Sequence, residues 1–506
     1  MSIHLYPITK TMPDAGLFTV RVNGQPAELD TARVSAMPFN RRWPGHQRSK
    51  DQSELVSFIS LSADEPVTFE ITPAKPFETA PVRPGSAGIS PVIRDGVITF
   101  TVPGPGFYTV EPYGRNEALH IFIDPVCDYG IDPADENVLY YGPGEHDAGL
   151  ITLRSNQTLY LDEGAVVYAC VEAIDADNIR ILGHGILDNS KNVEEILFEA
   201  SVENNDSAVN NAYRRHTIQP EYCNGVTIDG ITIRDSLVYN VRPVGCNDLH
   251  ISNVKIIGCW RYNSDGIDMH NCVDVEIHNC FLRTFDDSIC VKGFDCYYEG
   301  DVEAAVKAAM YRNGKAYDVF KNVSVHDCVI WNDWGKCLEI GAETRAEEIC
   351  NVTFERCDII HLSGPALDCM NVDYADVHDV TWRDIRVELD DVIPQIMIQN
   401  SDADTFFQQD PDFVPPIICA QVMYHHEYSA GGDRRGRNRR LAFENIALFG
   451  RQNVEFVFEG YRDDAECSDI VIRNFTVNGE PLRDGGYMLK TNEFCRNITV
   501  ENGSAV

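Results

Sequence analysis

The chain reads as an all-β protein: a β-sandwich over residues 1–130, followed by a right-handed, single-stranded parallel β-helix over residues 131–506. Three observations predict this. Short segments of period-2 alternation, punctuated by Pro and Gly, fill the first 130 residues. From about residue 137 a short strand-turn-strand unit recurs to the end of the chain. The recurring units lack the 3.6 period that a helical repeat would need.

The first region carries Leu17-Phe18-Thr19-Val20-Arg21-Val22, Val67-Thr68-Phe69-Glu70-Ile71 and Val97-Ile98-Thr99-Phe100-Thr101-Val102. Each alternates apolar and polar residues, as a half-buried strand must. Pro- and Gly-rich stretches, Pro81 to Pro91 and Pro103-Gly104-Pro105-Gly106, separate them. Strands at this spacing with turns between them indicate a sandwich, and no catalytic motif lies within it. A length of 506 residues exceeds what one compact core usually supports, so a second domain or an elongated repeat must follow.

The repeat opens on Asn, Asp or Gly and continues with alternating β-branched residues. It appears at Asn178, Gly225, Asp248, Asp274, Asn322, Asn351, Asp379, Asp469 and Asn497. Successive starts differ by 23, 26, 29 or 28 residues, or by gaps of 47, 48 and 90 that leave room for an insertion or another coil. Such a unit suits a parallel β-helix whose coils stack at about 4.8 Å. Cysteines fall in phase with it. Cys246 and Cys272 precede a start by two residues, and Cys280, Cys328 and Cys357 follow one by six. Cysteine at one position of successive coils implies an inward ladder of small apolar groups.

Three stretches are too long for turns: 191–222, 293–318 and 394–440. The second contains a helical pattern, Asp301 to Met310. Insertions on a solenoid tend to wall its binding face. The third holds Arg434, Arg435, Arg437, Arg439 and Arg440, with two readings open: pairing with an acidic surface, or an anion-binding rim.

Lys and Arg number 42 against 78 Asp and Glu, a formal charge of −36. That balance disfavours nucleic acid, whose binding depends on cations that neutralise phosphate. No apolar run approaches the roughly 18–20 residues that span a bilayer. The N-terminal residues show no export signal, and 17 Cys without paired CxxC motifs point to reduced thiols, so a cytoplasmic address is expected. Neither a metal nor an organic cofactor is expected, and the oligomeric state is unreadable.

The densest chemistry lies in Asn263-Ser264-Asp265-Gly266-Ile267-Asp268 and Asp286-Asp287-Ser288-Ile289. Aligning the coils sets Asp265 against Asp287, 22 residues on, and Ser264 against Asp286. Stacked carboxylates repel, so at least one retains a proton, which is the environment an acid/base pair needs. Asp at coil corners also caps turns, the role expected of Asp373, Asp376 and Asp379. An acidic sextet followed one coil later by Asp-Asp favours catalysis by Asp265, Asp286 and Asp287.

These residues resemble the signature of glycoside hydrolase family 28, the polygalacturonases, and a related acid trio marks family 49, the dextranases and isopullulanases. Upstream, Tyr141 to His146, Leu159 to Tyr168 and Ile181 to Asp188 resemble the opening coils of bacterial family 28 members. The similarity covers roughly residues 137–390. The resemblance implies inverting hydrolysis of a glycosidic bond, with Asp286 as general acid and Asp265 and Asp287 holding and deprotonating water. Polygalacturonases carry Gly-His-Gly where this chain has Gly335-Lys336-Cys337. Where they carry a uronate-gripping Arg-Ile-Lys, Gly364 to Asn371 here hold no cation. A neutral oligosaccharide is therefore the expected partner.

The candidate substrate-binding set is Arg242, Lys336, Tyr239, Asp268, Trp260, Trp334 and Glu339. Arg242 either touches substrate or pairs with an acid such as Asp268. Lys336 either tunes the acids, donates to a sugar oxygen or is a structural counter-ion. Trp260, Trp331 and Trp334 read as sugar platforms or as coil core, and the facing of Glu339 and Glu343 depends on register. Rival readings are a β-helix lyase or intramolecular fructosyl transferase, a hydrolase of oligogalacturonides, and a non-enzymatic carbohydrate scaffold.

Overall fold

The computed structural model describes residues 3–36, 40–41, 50, 53–115, 117–191, 216–261, 263–295, 301–389, 397–399, 406–408, 415–426, 428–429, 433–450 and 454–501. The chain folds into a β-sandwich followed by a right-handed parallel β-helix. One sandwich sheet orders Gln25–Ala27, Phe18–Val22, Val67–Pro73, Val97–Val102 and Val92–Arg94. All three alternating segments singled out in the sequence therefore lie in that sheet. The other sheet is built on Ser53–Ala63, with Leu119–Asp124 and Gly106–Val110 beside it. Val20, Phe69, Ile71 and Ile98 from the first sheet meet Ile59, Leu61, Val110 and Ile121 from the second in one apolar core.

The β-helix has three faces. The first is a ladder of 12 parallel strands from Val138–Tyr141 to Cys495–Glu501. The repeat starts sit on this face, and Asn178, Asp248, Asp274, Asn322, Asn351, Asp379, Asp469 and Asn497 all adopt left-handed φ of 50–59°. Asn and Asp tolerate that conformation better than other L residues, which explains their recurrence. Their side chains also bond from coil to coil, Asn322 donating to Asp274 at 2.7 Å and Asn497 to Asp469 at 2.9 Å. The predicted cysteine ladder is present: Cys246, Cys272, Cys280, Cys328 and Cys357 are all buried free thiols in the apolar interior.

The second face runs beside the sandwich. Its outward side chains Val166, Ile186, Phe281 and Trp331 pack on Phe58, Phe107 and Phe122. The third face comprises Ile267–His270, Ile289–Lys292, Leu338–Ala342, Leu367–Asn371, Ile418–Val422, Glu455–Glu459 and Met488–Thr491. Its inward residues, such as Ile267, Ile289, Leu338 and Leu367, join the core, and its outward residues form the floor of the site.

The expected helix spans Val302–Met310, N-capped by Asp301, whose carboxylate accepts from the Ala304 amide at 3.1 Å. Val306 and Met310 pack it on Val244 and Phe294. Residues 192–215, 296–300, 390–396, 400–405 and 409–414, which cover much of the three long stretches, lie outside the described residues. Among the described residues no helix is long and apolar enough to cross a membrane.

Candidate active site

Three consecutive turns between the second and third faces carry the chemistry. The first turn ends in Asp265, the second contains Asp286 and Asp287, and the third contains Gly335 and Lys336. The register pairs Ile267 with Ile289 and Ile289 with Leu338, so Asp265, Asp287 and Lys336 share one column, as the coil spacing predicts. Backbone bonds lock the turns together: the Gly266 amide donates to Asp287 O at 2.8 Å, and the Ser288 amide to Lys336 O at 2.8 Å. The glycines are steric necessities. A Cβ on Gly266 would lie 2.2 Å from Ser288 O, and one on Gly335 would lie 2.5 Å from both the amide and Oδ1 of Asp287.

Polar side chains brace these turns from within. Asn332 Nδ2 donates to Asp286 O at 2.8 Å and Lys336 O at 3.1 Å, and Asn240 Nδ2 donates to Asp265 O at 2.6 Å. The Lys336 amide donates to Asp287 Oδ1 at 2.8 Å. One carboxylate oxygen from each of Asp265, Asp286 and Asp287 lies within 4.8 Å of the other two. Asp265 is buried, whereas Asp286 and Asp287 remain partly open to solvent.

Such crowding raises proton affinity. Burial, then repulsion from Asp268 and Asp286, pushes Asp265 well above the usual carboxylate range. Burial and the neighbouring Asp287 push Asp286 up to about 7. Asp287 is raised by burial and by Glu339. Two ammonium groups counter the repulsion. Lys292 Nζ sits 2.8 Å from Asp268, 3.5 Å from Glu343 and 3.7 Å from Asp265. Lys336 Nζ sits 2.5 Å from Glu339 and 2.7 Å from Asp368. Burial alone would lower the proton affinity of both lysines, but the carboxylates around them more than offset it.

The candidate substrate-binding residues divide. Lys336 and Glu339 sit beside the trio as an ion pair, with Glu339 buried and Lys336 partly open to solvent, and Asp268 joins them through Lys292. Tyr239 is 8% exposed with its ring 5.1 Å from Lys292 Nζ. Trp334 is half-buried and stacks on Phe285 at 6.0 Å. Of the two readings open for Arg242 the structure shows the ion pair, with Asp295 at 2.5 Å as the acid, while Asp268 is held by Lys292 at 2.8 Å. Trp260 corrects the platform reading. It is 2% exposed and its indole N–H donates to Asp235 at 2.8 Å, so its ring belongs to the turn core; Trp331 is buried likewise on Asp333.

Outside the site, Arg434 pairs with Glu347, Arg437 and Arg439 with Asp376, and Arg440 with Asp379. The basic stretch thus lies mostly against acidic surface. Sequence reasoning missed Lys292 and Asp368 as partners and Asn332 as a brace, and left open the facing of Glu343, which the structure turns to Lys292. The signal for Lys292 was its outward parity with Cys290 in a strand otherwise apolar. The trio offers the donor set of a hard cation, and Glu348, Cys350 and His378 converge on the first face. His378, however, is already engaged by Asp379 and by Arg440.

The right-handed parallel β-helix is a fold found among glycoside hydrolases. Residues 142–404, just over half the chain, match the profile of glycosyl hydrolases family 28. The chain belongs to that family. It is 31% identical over 86 residues to a probable polygalacturonase from Vitis vinifera, a match covering 17% of this chain and only 18% of that protein. Its fold is similar to that of Dex49A from Penicillium minioluteum, with a TM-score of 0.60 at 13% identity, covering 98% and 95% of the two chains. An exopolygalacturonase from Thermotoga maritima aligns with a TM-score of 0.48 at 18% identity over 72% of this chain and 84% of its own.

Proposed function

We propose that this family 28 protein hydrolyses the glycosidic bond of a neutral oligosaccharide by single displacement. Asp286 protonates the leaving oxygen while Asp265 and Asp287 position and deprotonate water. Asp286 can serve as the acid, since it stays partly open to solvent and burial with Asp287 beside it pushes its proton affinity up to about 7; its choice over Asp265 and Asp287, which are raised as well, follows the family signature.

The observation that carries the neutral substrate is electrostatic. The floor holds seven carboxylates (Asp265, Asp268, Asp286, Asp287, Glu339, Glu343, Asp368) and two lysines, and both lysines are already paired with acids. A uronate would meet net negative charge without a bidentate cation to hold it. We further propose a reducing, cytoplasmic setting and short imported substrates; the 16 described cysteines, all free, are compatible with that setting.

Inversion is supported by the family. One oxygen from each carboxylate of the trio lies within 4.8 Å of the other two, a close approach beside the ~6.5–9.5 Å usual between the carboxyl groups of inverting pairs, and the first-formed anomer decides the stereochemistry. The match to a probable polygalacturonase favours a second reading, hydrolysis of oligogalacturonides. Wild type and Asp286→Asn should be assayed on neutral α- and β-linked oligosaccharides and on oligogalacturonides, with NMR of the first-formed anomer. Cleavage of a neutral substrate with inverted configuration, abolished in the variant, is expected. Cleavage of oligogalacturonides alone would overturn the neutral assignment, a retained anomer the displacement, and an unsaturated product hydrolysis itself.

A further inference from the structure

We infer that Lys292 is a positioning residue for the acid trio: its ammonium, locked between Asp268 and Glu343, is the shared counter-charge of Asp265, Asp286 and Asp287. This rests on the proposed hydrolysis, and it gives Lys292 a role that needs no contact with sugar. Lys292 is 3% exposed, at the end of the third-face strand Ile289–Lys292. Its Nζ contacts Asp268 at 2.8 Å, Glu343 at 3.5 Å and Asp265 at 3.7 Å, and faces the Tyr239 ring.

The charged groups packed around it come from every neighbouring coil. Asp265, Asp268 and His270 lie on the preceding coil, Tyr239 and Arg242 on the coil before that, and Asp295, paired with Arg242, follows the Lys292 strand. Cys290 shares its own strand, Asp286 and Asp287 occupy the turn before it, and Glu339 and Glu343 lie on the next coil. Lys292 lowers the proton affinity of all three catalytic acids, whereas Lys336 acts on Asp287. The trio needs one proton on the acid and none on the base. Burial and mutual repulsion raise Asp265 and Asp287 even beside Lys292, and without that positive charge the base would hold its proton more tightly still.

The test compares Lys292→Met, Lys292→Arg and Glu343→Gln with wild type. Two quantities are measured: the pH profile of kcat/KM on a substrate the wild type cleaves, and infrared titration of the protonated carboxyl stretch, which needs no substrate. In Lys292→Met the acidic limb should move up by about one unit or more, which is about tenfold in the ionised base at a fixed pH on that limb. KM should change little, and the infrared signal should persist to higher pH. Lys292→Arg should restore most of the wild-type profile. Glu343→Gln removes a competitor for the ammonium and should move the limb the opposite way.

An unmoved limb and infrared titration in Lys292→Met overturn the inference. If that variant does not fold, an unmoved titration in Glu343→Gln does so instead. Full activity in Asp286→Asn would sink the hydrolytic roles, while the infrared titration would still decide whether Lys292 sets the proton affinity of the trio.

Discussion

Asp286 shows how one residue trades stability for chemistry. An ordinary aspartate titrates near 3.8; burial first, and Asp287 second, push this one up to about 7. A carboxyl with raised proton affinity in the folded state favours folding at low pH, and that contribution is lost as pH climbs from about 4 through about 7. Asp286→Asn, which cannot ionise, should therefore melt at a higher temperature than wild type at pH 8, with a smaller gap at pH 5. The same variant should lose ~10²–10⁴-fold in kcat, the usual share of a general acid. Calorimetry at the two pH values checks the first statement and steady-state kinetics the second. An Asn variant less stable than wild type at pH 8 would contradict the account of the raised proton affinity.

The active element is a turn repeated on three coils, and its geometry depends on close backbone approach. Gly335 lies against Asp287 so closely that a methyl group would stand 2.5 Å from the Asp287 amide and Oδ1 and 2.7 Å from the Asp286 carbonyl carbon. Those atoms are backbone or anchored, so the turn itself must shift. Gly335→Ala should therefore reduce kcat by at least ~10-fold, since a displacement near 1 Å can cost ~10²-fold. Thermal stability should fall only modestly, because the strands on either side keep their ladders. Kinetics alongside a thermal melt would separate the two effects, and unchanged kcat would show that the turn tolerates the shift. The outward column Asp268, Cys290, Glu339 and Asp368 continues this logic along the strands, each coil adding one group to the floor.

Across the whole molecule, the sandwich acts as a clamp on the second face. Lys255 is fully buried there, with Nζ 2.8 and 2.9 Å from the Asp124 carboxylate and 2.5 Å from Gly230 O. His361 reaches Glu111 at 2.5 Å, and Arg83 joins Glu111 at 2.8 Å and also contacts Glu388. Arg115 spans from the sandwich to Asp333, at the turn after the Asn332 brace. Lys255→Met would strand the Asp124 carboxylate beside His184 and should destabilise the fold by ~3–5 kcal/mol, the usual cost of breaking a buried pair. Pairing it with Asp124→Leu should recover part of that loss, as denaturant unfolding would show. A single variant as stable as wild type would mean that the junction relaxes to admit water.

What the sequence determined by itself was the periodic part of the protein. The Asn and Asp starts, the in-phase cysteines and the 22-residue offset between Asp265 and Asp287 all follow from local rules: which residues tolerate a left-handed bend, which fit inside a coil, and how many residues make one turn. Those rules act through the chain's own period, so they are visible without coordinates. The partners of each charge were decided only by tertiary structure. Arg242 turned to Asp295, Trp260 to Asp235, and Lys292 took the central place among the acids. Each choice depends on which neighbouring coil reaches a buried ion first, and on distances of 2.5–2.8 Å between residues 24 to 53 positions apart. Burial makes those pairings obligatory, because a charge removed from water must find a partner in space.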